Sequence, residues 1–348
     1  MTAGPSASKA AARVVVPGAR ILGTGHFLPA QVRTNLDLEK LVETSDTWIR
    51  ERTGIRERRV APDGTGPDAK MVTSDMAAEA AKNALAAAGL TAKDLDMIVV
   101  ATVTPDMPMP ATAAFVQQKI GAGNVPAFDI SAACGGFIFG LSIADQFLRN
   151  GTMKHVLVIG VELLSRVVDW TDRTTCVLFG DGAGAMVLGA PDGSDRGILG
   201  TQIFTDGSLA RSLMIPAGGS ETPVTHAVLE ARENKVKMKG QDIFKAAVRN
   251  LYSASQGVVD AAGMTNDQVD WVCPHQANLR IIDQVVQRAN YQRERVLSNI
   301  ERVGNTSSAS IPILIDENVK GGKIKPGDVV LMCALGAGVS WGSALVRM

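Results

Sequence analysis

The sequence predicts an α/β protein assembled from two related halves, and three observations carry that expectation. Short apolar runs of strand character alternate with amphipathic helical stretches along the whole chain. A segment AAGLTAKDLDMI at 87–98 returns as AAGMTNDQVDWV at 261–272, 174 residues further on and half a chain away. The 348 residues, 46% hydrophobic and 20% charged, exceed the ~150 of one ordinary domain and hold ample apolar surface for a core.

In chain order, Met97–Val103, Val156–Val161, Val329–Met332 and Ala344–Val346 are the apolar runs of buried strands. Ser74–Ala88, Gly136–Arg149, Asp242–Ala262 and Leu279–Ala289 carry apolar residues at helical spacing. Alternation of this kind points to a largely parallel sheet. In each copy of the repeat a helix ends at glycine (Gly89, Gly263), a short loop follows, and an aspartate (Asp96, Asp270) opens a strand. The expected organisation is a flexible tail over 1–17, one half over 18–195 and a second over 196–348.

Thirty-five basic residues balance thirty-five acidic ones, which argues against a nucleic-acid binder. No apolar run reaches membrane-spanning length. Cys134, Cys176, Cys273 and Cys333 show neither metal-site nor disulfide-framework spacing, so the chain reads as cytoplasmic with free thiols and no metal. Gly180–Ala185 fits a dinucleotide-binding pattern, but an apolar strand stopped by Pro191 follows where that motif needs a helix.

Cys134 stands in FDISAACGGF, where a strand ends, small residues turn the chain, and the Gly136–Arg149 helix begins. A helix N-terminus favours thiolate, and the following glycines let a substrate approach the backbone. A small buried hydrophobe is the competing interpretation; for the other three cysteines, set in apolar runs, it is the expectation. His275 lies between a strand end and a helix that Asn278 can cap. Asn305, in the turn Gly304–Ser307, is a turn-former unless its neighbours make it more. The 174-residue offset carries Cys134 onto Ser308, three residues past Asn305 at the end of that turn, so the loops of both halves can meet in one cleft beyond their strand ends.

Six segments, TSDTWIRERTGIRERR (44–59), PAFDISAACGGF (126–137), FGDGAGAMVLG (179–189), PHQANLRII (274–282), GNTSSASIP (304–312) and GAGVSWGSALVRM (336–348), resemble β-ketoacyl-acyl-carrier-protein synthase III. The resemblance runs from about residue 20 to the last and keeps the family's order. It implies the thiolase-like fold, two α/β halves in a five-layer αβαβα arrangement. It implies an acyltransferase that starts fatty-acid biosynthesis without a cofactor, by decarboxylating condensation of an acyl-CoA with malonyl-acyl-carrier protein through an acyl-Cys intermediate. The family's catalytic set falls on Cys134, His275 and Asn305, and its oxyanion hole on the backbone N–H groups of Cys134 and Ala337. CoA-binding positions fall on Trp48, Arg173 and Asn278. Carrier-protein positions fall on Lys245, Gln276, Ala277, Asn278, Leu279 and Arg280. Met109 matches a residue that floors the acyl pocket of the partner in a homodimer.

The chain departs from the family in Ala337, where some relatives have glycine, and in extra residues within 60–71 and 218–237 that bear on acyl preference. A relative serving specialised metabolism is the alternative function. A non-catalytic partner subunit would have lost part of the Cys/His/Asn set, and a papain-type hydrolase lacks the duplicated α/β pattern.

Overall fold

A computed structural model describes residues 16–62 and 70–348. Most of the 1–17 tail and the middle of the 60–71 insert therefore lie outside the described residues.

Two sheets share a helical layer. The first contains Arg20–Phe27, Gly182–Gly189, His155–Glu162, Met97–Ala101 and Ala127–Ile130, in that spatial order. The second contains Trp271–Pro274, Val329–Gly336, Ser340–Arg347 and Gly197–Thr205. Strand residues alternate between faces, and here both faces are dry. Met97, Val99, Val156 and Val158 face inward onto Phe137, Leu141, Ile311 and Leu314, and Val330 and Met332 reach the same helices from the other sheet. The helices Gly136–Arg149 and Ser310–Lys320 thus form the central layer. On the outer faces, Ile98 and Val100 meet the alanine-rich Thr73–Ala88 helix, while Val272 and Leu331 meet Gly240–Ala261 and Leu279–Ala289. The result is the five-layer αβαβα stack.

The sheets are mixed rather than largely parallel. His155–Glu162 pairs antiparallel with Gly182–Gly189, and Val329–Gly336 pairs antiparallel with Ser340–Arg347. The second pair is joined by only Ala337–Val339, a connection too short for a parallel crossover.

The repeated segment folds the same way twice. Gly89 and Gly263 take φ of 67° and 66° with open space where a Cβ would stand, so glycine is there for its left-handed backbone. Thr91 and Thr265 then start short 3₁₀ turns. Asp96 Oδ2 accepts from the N–H groups of Lys154 and His155, and Asp270 Oδ2 accepts from Val329 N–H. Each aspartate pins the first residue of the strand that leads to the cleft.

Candidate active site

Cys134 sits in the 3₁₀ turn Ala133–Gly135, directly before the Gly136–Arg149 helix. Ala133 holds φ at 44°, a left-handed value that costs ~1–3 kcal/mol in a non-glycine residue and marks a sharp elbow. The opposing strand end requires a glycine, because a Cβ on Gly336 would meet Cys134 N at 2.5 Å. Ala337 follows in the same loop and lines the same cavity as Cys134. Its φ is not among the positive ones, so the backbone accommodates the Cβ of an alanine there.

The expected helix N-terminus is in place, yet it does not settle the thiol's charge. Burial pushes Cys134 up to about 12; hydrogen bonding with Ser307 opposes that, and the charge of Glu162 adds to it. A helix terminus supplies ~0.3–2 kcal/mol, less than this burial penalty. At neutral pH the sulfur therefore carries its proton.

The turn Gly304–Ser310 connects the remaining groups. Asn305 is held by its backbone, donating N–H to Leu178 O and accepting from Gly180 N–H. The glycine-rich segment, whose nucleotide-loop pattern lacks the required helix, instead seats Asn305. Its Oδ1 accepts from Ser307 N–H at 2.9 Å, leaving the amide nitrogen as the donating end. Ser310 Oγ lies 2.6 Å from His275 Nδ1. Burial pushes the imidazole down to about 3, so it is neutral. With Ser310 donating to Nδ1, the proton of His275 sits on Nε2, a buried atom with no partner among the described residues. One turn thus touches the thiol, contains the amide and orients the imidazole.

Beside Cys134 opens a cavity of about 240 Å³ walled by Val103, Leu164, Phe179, Leu213, Ile215 and Val236. Val236 belongs to the second insert, so that insert does reach the cavity. Met109 does not line it; the residue is 84% exposed.

At the surface, Arg173 stands 5.2 Å from the Trp48 ring and donates to Glu43 O. Arg280 covers the Phe244 ring at 5.9 Å, next to exposed Lys245. Asn278 caps the Leu279–Ala289 helix, and its amide also donates to Arg52 O. Ala277 and Leu279 are half-buried, Leu279 against Gly54. Gln276 must leave the carrier-facing set. It is fully buried, and its amide is spent on Pro274 O, Ser298 Oγ and Asn299 N.

Sequence reasoning missed Glu162, Ser307 and Ser310. Glu162 is fully buried at the end of its strand; a carboxylate closing the run VLVIGVE was the signal available. Arg58 was also missed: it is buried, and it ties Arg33 O, Asn35 Oδ1 and Val177 O beneath the Trp48 segment.

Comparison with known proteins gives concordant results. Residues 128–207 match the family model of 3-oxoacyl-(acyl-carrier-protein) synthase III, and 259–348 match that of its C-terminal part. The chain is 49% identical over 329 residues to the β-ketoacyl-(acyl-carrier-protein) synthase III of Caldanaerobacter subterraneus subsp. tengcongensis, covering 94% of this chain and 97% of that one. It superposes on the crystal structure of 3-oxoacyl-(acyl-carrier-protein) synthase III from Aquifex aeolicus with a TM-score of 0.86 at 46% identity, covering 95% and 100% of the two chains. It is also similar to the priming β-ketosynthase of the R1128 polyketide pathway, with a TM-score of 0.85 at 35% identity, covering 95% and 96%.

Proposed function

The chain belongs to the 3-oxoacyl-(acyl-carrier-protein) synthase III family, and from that premise we propose how its residues divide the work. The enzyme is a condensing acyltransferase that joins an acyl-CoA primer to malonyl-acyl-carrier protein, yielding 3-oxoacyl-carrier protein, CoA and carbon dioxide at the start of fatty-acid synthesis. Cys134 attacks the thioester carbonyl, and the N–H groups of Cys134 and Ala337 receive the oxyanion. CoA departs and the acyl chain lies in the aliphatic cavity, which is roomier than an acetyl group needs. His275 Nε2–H and the Asn305 amide then donate to the malonyl thioester oxygen, stabilising the enolate as carbon dioxide leaves. The enolate carbon attacks the acyl-Cys carbonyl and releases the product.

The observation that carries this reading is the Gly304–Ser310 turn, which gathers the thiol, the amide and the neutral imidazole. Trp48 and Arg173 are assigned to the CoA adenine. Their 5.2 Å spacing leaves no slot for a base, so Arg173 has to release Glu43 O and swing outward. Lys245 and Arg280, flanking Phe244, are assigned to the acidic carrier protein, with Ala277, Asn278 and Leu279 beside them.

A cytoplasmic homodimer with halves 18–195 and 196–348 completes the proposal. The edge strand Ala127–Ile130 is half-exposed, and Met107 and Met109 project nearby, as an interface would require. Intact-protein mass spectrometry tests the function: incubation with acyl-CoA should add one acyl mass, and malonyl-carrier protein should remove it as 3-oxoacyl-carrier protein. Absence of the adduct with every acyl-CoA of a two- to eight-carbon panel would overturn the reading.

A further inference from the structure

Resting on Cys134 as the acyl-bearing nucleophile, we propose that Ser307 and Glu162 form a proton relay in which the buried carboxylate stores the thiol's proton for the lifetime of the acyl-enzyme. Glu162 Oε1 lies 3.1 Å from Ser307 Oγ, and Ser307 lines the same cavity as Cys134, close enough for its hydroxyl to act on the thiol. A hydroxyl has one proton to give and two lone pairs to receive with. With the proton on sulfur, the arrangement that satisfies all three groups runs S–H to Oγ and Oγ–H to Oε1; with the sulfur ionised, the same hydroxyl turns its proton to the thiolate, the sense in which Ser307 opposes the effect of burial. That line is a path for a proton.

The carboxylate's surroundings suit a proton that comes and goes. Oε2 accepts from Thr104 Oγ1 at 2.7 Å and Val103 N–H at 3.1 Å, so this end is fixed. Thr102 faces Oε2 more distantly, and Ser308 faces Oε1 at 3.2 Å while giving its proton to Ala101 O at 2.8 Å. No ion pair with Glu162 occurs among the described residues, and Cys134 is the titratable group its charge acts on. Burial pushes the carboxyl up to about 7 against these hydrogen bonds, so it exchanges a proton near neutrality.

The steps balance. As the S–C bond to the acyl carbonyl forms, the Cys134 proton passes to Ser307 Oγ and the Ser307 proton to Glu162 Oε1. The bond to CoA breaks, and the CoA thiolate takes a proton from solvent. In the second half-reaction the enolate attacks the acyl carbon, the bond to Cys134 breaks, and the thiolate is reprotonated through Ser307 from Glu162. One solvent proton is consumed per turnover, as the overall reaction requires.

The test is single-turnover acylation, followed by quenched-flow mass spectrometry from pH 5.5 to 9 with wild type, Glu162→Gln and Ser307→Ala. Wild-type acylation should climb about tenfold per pH unit below about 7 and level off above it. That sign follows because the ionised carboxylate is the acceptor. Glu162→Gln should lose the inflection and acylate ~10²-fold more slowly. Ser307→Ala should lose the same inflection with the carboxylate intact. Retention of the inflection by a folded Glu162→Gln, or acylation at the wild-type rate, overturns the relay. Should Glu162→Gln fail to fold, Ser307→Ala decides alone by the same criterion. The wild-type adduct reports separately on the nucleophile, so failure of the relay and failure of the function are distinguishable.

Discussion

Each half of the molecule builds the same elbow, and only one elbow is left open. In the first half Ala133 takes φ 44°, and Cys134 precedes the Gly136–Arg149 helix; in the second Ser307 takes φ 49°, and Ser308 precedes Ser310–Lys320. Cys134 faces the cavity, whereas the Ser308 hydroxyl is given to Ala101 O in the opposite sheet. The strands beside them diverge too. Under the 174-residue offset His155–Glu162 becomes Val329–Gly336, so a carboxylate in one half answers to a glycine in the other. His275 falls on Ala101 and Asn305 on Ser131. Duplication supplied two helix N-termini and two strand ends; chemistry came from letting the copies differ.

The largest consequence concerns the elbows. Cys134→Ala should abolish the acyl adduct, while replacing Cys273 or Cys333, buried in strands, or Cys176, buried in a turn rather than the strand its apolar run suggested, should leave it intact. Ser308→Cys introduced into Cys134→Ala should not restore acylation, because that side chain points into the wall of the opposite half. An adduct on residue 308 would show that backbone geometry alone makes the nucleophile.

Next in size are the donors of the second half. His275→Ala and Asn305→Ala should still form acyl-enzyme but lose ~10²–10³ in condensation. Because the His275 imidazole is pushed down to about 3, it is neutral throughout pH 5–9, and wild-type condensation of preformed acyl-enzyme should show no His275 limb in that range. Stopped-flow measurement of carbon dioxide release from preformed acyl-enzyme checks both statements. Near wild-type condensation by Asn305→Ala would reduce that residue to a turn-former.

Much of this was legible in the amino-acid pattern because it is local. Gly136–Arg149 and Leu279–Ala289 follow from 3.6-residue periodicity and end where it ends. The repeat was readable because glycine caps and aspartate clamps demand particular residues. Strand direction was not, since an apolar run says nothing about its neighbour; the short Ala337–Val339 link was the available clue. Glu162, Ser307 and Ser310 stayed hidden because their partners lie on other elements; Ser307 and Glu162, for example, stand 145 positions apart. Gln276 was misplaced because a motif fixes a residue's position and not the direction in which its side chain turns.

The two clamps allow a smaller, quantitative comparison. Asp96 receives two backbone N–H groups and Asp270 one. At ~1 kcal/mol net per hydrogen bond, Asp96→Ala should cost about 2 kcal/mol of folding stability and Asp270→Ala about 1. Urea denaturation followed by circular dichroism measures both. Equal losses would mean that the second bond to Asp96 contributes nothing.

The smallest effects are expected at the mouth, where the proposed assignment divides two substrates between the halves. Trp48 and Arg173 belong to the first half and offer an indole face and a guanidinium plane to a purine. Lys245 and Arg280 belong to the second and offer exposed positive charge to an acidic protein surface. Trp48→Ala with Arg173→Ala should raise KM for acyl-CoA about tenfold and move KM for malonyl-carrier protein much less. Arg280→Glu should do the reverse by a few-fold, with kcat nearly constant, because rim charges act on encounter rather than on chemistry. Its effect should shrink as salt rises, since exposed charges are screened over ~10 Å at 0.1 M. Steady-state kinetics with each substrate varied, at two ionic strengths, separate the cases. If Arg280→Glu weakens both substrates equally and without salt dependence, its contact with Phe244 supports the Gly240–Ala261 helix, and the carrier protein docks elsewhere.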